Sequence, residues 1–199
     1  MDVKIRADDS VEISGYVNAV ERLSKPLWSR LGQFVEKIAA GAFSRAIQNN
    51  DDVKVLLNHD VDRELGTTKD GSLKLTEDNI GLRACFTTDD KEVVEDARNN
   101  RLVGWSFGFT DKDVEPGEVD GMPLRYVKDL NLFEVSLLND SCTPAYNGTL
   151  VNARNEWEPI CYGDTAKEDV NIRSEKKPEP EPEPYDNSKY KKIIEEMKK

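Results

Sequence analysis

Segments typical of β-strands recur along the first 140 residues of the chain, and they constrain its fold more than any other feature. Six segments alternate between apolar and polar residues or run apolar: VEISGYVNAV (11–20), DVKVLLN (52–58), SLKLTED (72–78), GLRACFTT (81–88), LVGWSFGF (102–109) and LNLFEVSLL (130–138). Helical periodicity occurs in DDKEVVEDARNN (89–100), which opens on the candidate caps Asp89 and Asp90, and in AGAFSRAIQNN (40–50). The pattern predicts an α+β, mainly β fold, with an antiparallel barrel or sheet and a few helices packed around it.

The composition changes once, near residue 164, and this change divides the chain. Beyond it large apolar residues are few, and proline alternates with glutamate over residues 178–184. Such a composition favours extended polyproline II structure and cannot build a core. We therefore expect a folded domain over residues 1–163 and a Pro/Glu-rich disordered linker over 164–187. Residues 188–199 have the spacing of a short amphipathic helix, which needs a partner to be stable.

Charge, cysteine content and hydropathy exclude several classes of function. The formal net charge of -11 opposes binding to nucleic acid, whose phosphates are bound largely by lysine and arginine. Cys85, Cys142 and Cys161 include no C-x-x-C pair, so we expect no disulfide framework and no zinc site. We also expect no other metal and no cofactor. The N-terminus lacks an apolar signal segment, and no apolar run approaches the roughly 18 residues of a membrane span. We expect a soluble protein of a reducing cytoplasm.

The stretch GWSFGF, residues 104–109, fits the G-x-S-x-G pattern, in which a sharp turn presents a nucleophilic serine. A serine needs a general base, most often a histidine, and His59 is the only histidine of the chain. The hydrolase fold best known for this pattern has its histidine after the serine, which excludes that fold here. Because a triad is defined by geometry and not by chain order, a pair formed by His59 and Ser106 stays open.

Glu134 is the candidate third member of such a site. It lies within the apolar segment LNLFEVSLL, where strand alternation places it on the same face as Ser136. Burial of an unpaired carboxylate is unfavourable, so this position needs a hydrogen-bond donor. The imidazole of His59 is one candidate donor, and Arg125, Lys128 and backbone amides are the others.

Each of these residues also has an ordinary structural interpretation. A serine between glycines and aromatic residues is often a small strand residue beside a bulge. A single histidine at the end of a strand often lies at the surface, and an acid in a strand can be a solvated edge residue. The residue pattern alone therefore leaves the roles of Ser106, His59 and Glu134 undecided.

Several sequence blocks, taken together, resemble those of one protein family. In chain order they are FVEKIAA followed by GAF, then VKVLLNHD, LGTT, GLRACF, GWSFGF, LFEVSLL and TPAY. Their order and spacing over roughly residues 10–152 resemble the prohead (capsid maturation) serine proteases of tailed bacteriophages, which are similar to herpesvirus assembly proteases. Two blocks read AGAF and TPAY where many members have PGAF and NPAY, and we interpret both as tolerated loop changes.

The resemblance implies a barrel of about seven strands wrapped by helices. It implies that His59 and Ser106 are the catalytic pair and that Glu134 is the third member, a role for which herpesvirus relatives use a second histidine. The implied function is a serine endopeptidase that cleaves the scaffold or the N-terminal extension of the phage major capsid protein, and then itself. Such an enzyme acts in the host cell cytoplasm, inside the assembling procapsid.

Some features stay open despite the resemblance. A non-catalytic capsid or scaffold assembly component is one alternative, against which the intact His59 and Ser106 argue, and a serine esterase or amidase is another. Self-association of the protein is open as well. Backbone amides at residues 139–142 or near Phe107 are candidate donors to the oxyanion, a contribution of about 3–4 kcal/mol per donor in serine proteases.

Overall fold

The structure is a computed structural model that describes residues 1–141 and 171–175 of the chain. These residues form eleven strands and two helices. The strands are β1 (Asp2–Ile5), β2 (Val11–Ala19), β3 (Leu27–Ser29), β4 (Gly32–Ile38), β5 (Lys54–Leu57), β6 (Asp60–Thr67), β7 (Leu73–Glu77), β8 (Gly81–Thr88), β9 (Leu102–Val119), β10 (Met122–Asn139) and β11 (Asn171–Ser174). The helices are α1 (Ala42–Asn49) and α2 (Lys91–Arg98), neither of them long and apolar enough to cross a membrane.

The strands form two mixed sheets. One sheet has the order β11-β1-β2-β8-β7, and the other has the order β3-β4-β10-β5-β6, with β9 also paired to β10. The long strand β10 is central: it runs parallel to β4 near its start, parallel to β5 near its end, and antiparallel to β9 over its length. β10 therefore brings together segments that are far apart in the chain.

The prediction of a mainly β fold with a few helices is confirmed, whereas the described strands do not close into a barrel. Strands β3 and β6 end one sheet, and β11 and β7 end the other. The sheets are also not uniformly antiparallel, because the β1–β11, β10–β4 and β10–β5 pairs are parallel. Local alternation identifies a strand but does not specify its distant partner, so the expected antiparallel barrel is wrong in these two respects.

One hydrophobic cluster joins both sheets and both helices, and its fully buried members include Ile13, Phe86, Phe43, Val93 and Leu132.

The N-terminus of α2 is capped, as predicted, by Asp90, whose carboxylate accepts hydrogen bonds from two backbone amides of the first turn. α1 has no such cap of its own. Its first amides, those of Gly41 and Ser44, donate instead to the Glu77 carboxylate at 2.7 and 2.6 Å. A carboxylate is favoured at this positive end of a helix, and here it ties α1 to β7.

β9 and β10 form one long hairpin. Its turn is Asp120–Gly121, whose φ values of 51° and 79° are those of the type I′ turn favoured in hairpins. The half of β9 near this turn is largely exposed and the adjoining half of β10 is mostly half-buried, whereas residues 104–109 and 134–139 are buried almost throughout. The apolar pattern predicted only the buried halves of the two strands, because the halves near the turn are rich in charged residues.

Strand β11 lies inside residues 164–187, the range for which the sequence predicts a disordered linker. Residues Asn171–Ser174 run parallel to β1, and Ile172 packs against the core. An edge strand needs few apolar side chains, because backbone hydrogen bonds to its neighbour provide much of its stability. The remaining parts of the predicted linker, 164–170 and 176–187, and the predicted helix over 188–199 lie outside the described residues.

A chain that ends after Gly163 is expected to be less stable than one that ends after Lys177. The shorter chain lacks β11, and with it the ladder to β1 and the contact of Ile172 with the core. We expect the free energy of unfolding to fall by about 1–3 kcal/mol. Urea denaturation followed by circular dichroism measures the difference. Equal midpoints and slopes for the two chains would show that β11 does not stabilise the domain.

Candidate active site

His59 lies in the tight turn between β5 and β6. Leu57 pairs with Asp60, so Asn58 and His59 are the two residues of a hairpin turn. Their φ values of 55° and 60° are both positive, as a type I′ turn requires. Asparagine and histidine enter the left-handed region more readily than most residues that carry a side chain. The local sequence therefore suits the turn that presents the imidazole.

The imidazole of His59 contacts the carboxylate of Glu134 on β10. Nδ1 of His59 lies 2.8 Å from Oε1 of Glu134, and the two side chains are only 5% and 7% exposed. The second carboxylate oxygen, Oε2, accepts a hydrogen bond of 2.6 Å from Oγ of Ser136. Each carboxylate oxygen thus has a donor, which offsets the cost of burying the charge.

The contact with Glu134 determines the tautomer of the neutral imidazole. A carboxylate only accepts hydrogen bonds, so the proton of His59 belongs on Nδ1, and Nε2 keeps its lone pair. In this tautomer Nε2 can accept a proton, and the nearby carboxylate stabilises the positive charge that results. The pair therefore has the properties of a general base and its orienting acid.

The two basic residues considered as partners of Glu134 lie in other ion pairs. Arg125 pairs with Glu36 and Asp111. Lys128 pairs with Glu115, and this hydrogen bond holds the pKa of the Lys128 ammonium above its ordinary value. Among the candidate side chains, His59 is therefore the one in contact with Glu134.

Ser106 lies on β9 directly opposite Ser136. Opposite residues of an antiparallel pair project to the same face, with Cβ atoms about 4.5–5.5 Å apart. Oγ of Ser136 bonds to Glu134 and accepts a hydrogen bond of 3.1 Å from the backbone N–H of His59. Ser106, which is 2% exposed, thus faces the side on which His59 and Glu134 meet. The fold therefore places Ser106 on the face of the β9–β10 hairpin that also carries Glu134 and Ser136.

Gly108, the second glycine of the G-x-S-x-G pattern, makes room for Glu134. The two residues are opposite each other on β9 and β10. A Cβ built on Gly108 would lie 2.5 Å from Oε1 of Glu134 and 3.2 Å from its Cγ and Cδ. The carboxylate cannot move aside without leaving the donors His59 and Ser136. Only glycine at this position permits the observed contact.

Gly108→Ala is expected to lower the rate of peptide cleavage by about 10- to 100-fold while the protein stays folded, because the new methyl group displaces the Glu134 carboxylate from His59. Gly117→Ala is a matched control on the same strand, since a Cβ there would meet only Leu124, at 3.3 Å or more. Steady-state kinetics on purified variants measure both effects. A Gly108→Ala enzyme as fast as Gly117→Ala would show that this close approach has no catalytic consequence.

Most of the amides expected to form an oxyanion hole are already used. The backbone N–H of Asn139 donates to Oδ1 of Asn58 at 3.0 Å, that of Asp140 to the carbonyl of Arg101 at 2.9 Å, and that of Ser141 to Oδ1 of Asn139 at 3.2 Å. Residue 142 lies outside the described range. The amides of residues 139–141 thus have partners within the protein, and the oxyanion donors, in this segment or near Phe107, stay a prediction.

Ser136 donates a hydrogen bond to Glu134 and Gly108 approaches it closely, and the sequence pattern did not predict either role. Each lies two residues beyond a predicted site residue, and strand residues two apart share a face, so this spacing could have indicated them.

In residues 1–141 and 171–175, no group of three or more His, Cys, Asp and Glu side chains could hold a metal ion. The chemistry that these residues offer is proton transfer from a hydroxyl to an imidazole.

Comparison with known proteins agrees with this chemistry. A search of curated proteins gives no match. The family of caudovirus prohead serine proteases matches residues 1–160, a range that includes β1 to β10, both helices and the three predicted site residues. This range covers most of the 199 residues. The chain therefore belongs to the caudovirus prohead serine protease family.

Proposed function

We propose that Ser106, His59 and Glu134 are the catalytic triad of this prohead protease. The observation that carries the proposal is the buried contact of 2.8 Å between Nδ1 of His59 and Oε1 of Glu134, on the face that Ser106 shares. Membership of the family makes the protein a serine protease of phage capsid maturation. The triad assigns that activity to particular residues.

The proposed reaction is acyl transfer. Oγ of Ser106 attacks the carbonyl carbon of the scissile peptide, and Nε2 of His59 takes the hydroxyl proton. The same proton then passes from Nε2 to the leaving amine, and water hydrolyses the ester on Ser106 by the reverse route. The buried negative charge of Glu134 stabilises the imidazolium in both halves, since little water is present to screen it.

The substrates that we propose are the scaffold and the N-terminal extension of the major capsid protein. The protease would act inside the assembling procapsid in the host cell and would also cut itself. Removal of the scaffold frees internal volume for the genome, which explains why an endopeptidase belongs at this stage. Family membership and the proposed triad support this function.

Co-expression with the phage capsid protein and scaffold tests the proposal. We expect fragments of the scaffold, the capsid protein or both, identified by mass measurement of every product. A parallel culture that carries His59→Ala is expected to contain only full-length chains, because members of a triad act as a unit. Fragments that are identical in both cultures, and absent from a culture without this protein, would show that its cleavage does not depend on His59 and would contradict the proposed triad.

A further inference from the structure

Besides the contact between His59 and Glu134, four hydrogen bonds join the turn that carries His59 to β10. The backbone N–H of Asn58 donates to the carbonyl of Leu137 at 2.9 Å, and that of His59 donates to Oγ of Ser136 at 3.1 Å. Nδ2 of Asn58 donates to Oδ1 of Asn139 at 2.8 Å, and Oδ1 of Asn58 accepts from the Asn139 backbone at 3.0 Å. Two of the four bonds thus depend on one side chain, that of Asn58.

Asn139 is itself held from the other side by α2. Its Nδ2 donates to Oδ2 of Asp96 at 2.6 Å, and both residues are almost fully buried. Oδ1 of Asp96 accepts from Nε of Arg101 at 2.8 Å, and this interaction raises the pKa of the Arg101 guanidinium. A carboxylate can face only donors, so Asp96 determines which way the Asn139 amide points, and Oδ1 of Asn139 accepts from Nδ2 of Asn58 and from the backbone N–H and hydroxyl of Ser141.

The position of His59 depends on this chain of contacts. A turn with two residues at positive φ is costly for residues other than glycine unless its surroundings hold it. The contact between His59 and Glu134 also requires the turn to lie at one place along β10, between residues 134 and 139. The hydrogen bonds of Asn58 and Asn139 provide this restraint at one end, and Ser136 provides it at the other.

We propose, on the basis of the triad proposed above, that Asn58, Asn139 and Asp96 form a positioning unit, the amide clamp, that holds the imidazole of His59 against Glu134. These residues do not contact the reacting atoms in the proposed reaction. They act through the turn, and their removal lets the imidazole leave the carboxylate without removing any member of the triad. The clamp therefore controls kcat more than the binding of substrate.

Asn58→Gly tests the clamp in the full-length protein. Glycine keeps the positive φ accessible and removes only the side-chain hydrogen bonds. We expect kcat on a peptide cut by the wild-type enzyme to fall by about 10- to 100-fold, with KM nearly unchanged. Asn131→Ala is the matched control, since Asn131 also lies on β10 but bonds to Thr110 at the surface.

Proton NMR gives a readout that a loss of stability would not reproduce. His59 is the only histidine of the chain, so a downfield imidazole N–H signal belongs to it without further assignment. We expect the Nδ1 proton, hydrogen-bonded to Glu134 in the wild type, to move upfield and exchange faster with water in Asn58→Gly. In Asn131→Ala the signal should be unchanged.

Two outcomes would overturn the clamp. One is a kcat for Asn58→Gly equal to that of Asn131→Ala, and the other is a lower kcat with an unchanged Nδ1 proton. His59→Ala separates this failure from failure of the triad: if His59→Ala still cleaves, the triad itself is wrong. If His59→Ala is inactive and Asn58→Gly is fully active, the triad stands and the clamp alone is wrong. Asn58→Gly is a better test than Asn139→Ala. The Asn139→Ala variant would remove a hydrogen-bond donor from the buried carboxylate of Asp96 and could prevent folding.

Discussion

Replacement of Ser106 by alanine is expected to abolish peptide hydrolysis while the protein remains folded. The substitution removes the attacking oxygen, and loss of the nucleophile in a serine protease lowers kcat by roughly 10⁶-fold. It removes one hydroxyl from a strand whose neighbours, Trp105 and Phe107, are buried and keep their packing. We expect a change in stability of about 1 kcal/mol, which urea denaturation would measure.

Ser136 is the natural comparison, because the two serines lie opposite each other at the same site. The hydroxyl of Ser136 donates to Glu134 at 2.6 Å, so its proton is directed to the carboxylate and not to an imidazole nitrogen. Ser136→Ala deprives Glu134 of one donor and should lower the rate by about 10-fold without removing the nucleophile.

A serine-reactive fluorophosphonate probe distinguishes the two residues. We expect the probe to label the wild type and Ser136→Ala at residue 106, as located by mass spectrometry of peptides, and to leave Ser106→Ala unlabelled. The matching kinetic result is slow cleavage by Ser136→Ala and none by Ser106→Ala. Labelling at residue 136, or cleavage by Ser106→Ala, would transfer the role of nucleophile from Ser106.

The sequence predicted the elements of this site better than their arrangement. α2 follows from local rules, since Asp90 precedes a segment that places Val93, Val94 and Ala97 on one face. The need of Glu134 for a donor also followed from one strand, because a carboxylate among apolar residues must be paired. Both predictions depend on residues within a few positions of each other.

The parts that the sequence did not reveal depend on distant pairing. Nothing near Lys54 or Glu134 indicates that β5 and β10 run side by side in parallel, yet this register places the His59 turn beside Glu134. The amide clamp could not be predicted for the same reason, since Asn58, Asp96 and Asn139 come from three separate parts of the chain. The hairpin turn at Asp120–Gly121 is a different case, because Asp-Gly is a strong local turn signal that the charged flanking strands obscured.

Glu134→Gln is expected to lower kcat by roughly 10³- to 10⁴-fold with little change in KM. Glutamine keeps the size of the side chain but carries no charge, so it cannot stabilise the imidazolium that forms in each proton transfer. Its amide also contains two donors, and a donor turned to His59 would favour the tautomer with the proton on Nε2. That tautomer cannot accept the proton of Ser106.

A second buried carboxylate provides the control for this substitution. Glu36 on β4 is 4% exposed and pairs with Arg125, so Glu36→Gln also removes a buried charge from a strand. Breaking a buried ion pair is costly, and we expect Glu36→Gln to lower the free energy of unfolding while kcat stays near the wild-type value. Glu134→Gln should show the opposite, a large loss of kcat with a smaller loss of stability.

The two variants together separate catalysis from folding. Cleavage rates and urea midpoints are measured on both proteins. We expect the larger loss of cleavage rate in Glu134→Gln and the larger loss of stability in Glu36→Gln. If Glu134→Gln cleaves at the wild-type rate, Glu134 serves only to satisfy buried donors, and the orienting role passes to Asp60, the first residue of β6, or to water. If both variants lose rate in proportion to stability, the carboxylate contributes to the fold and not to the chemistry of His59.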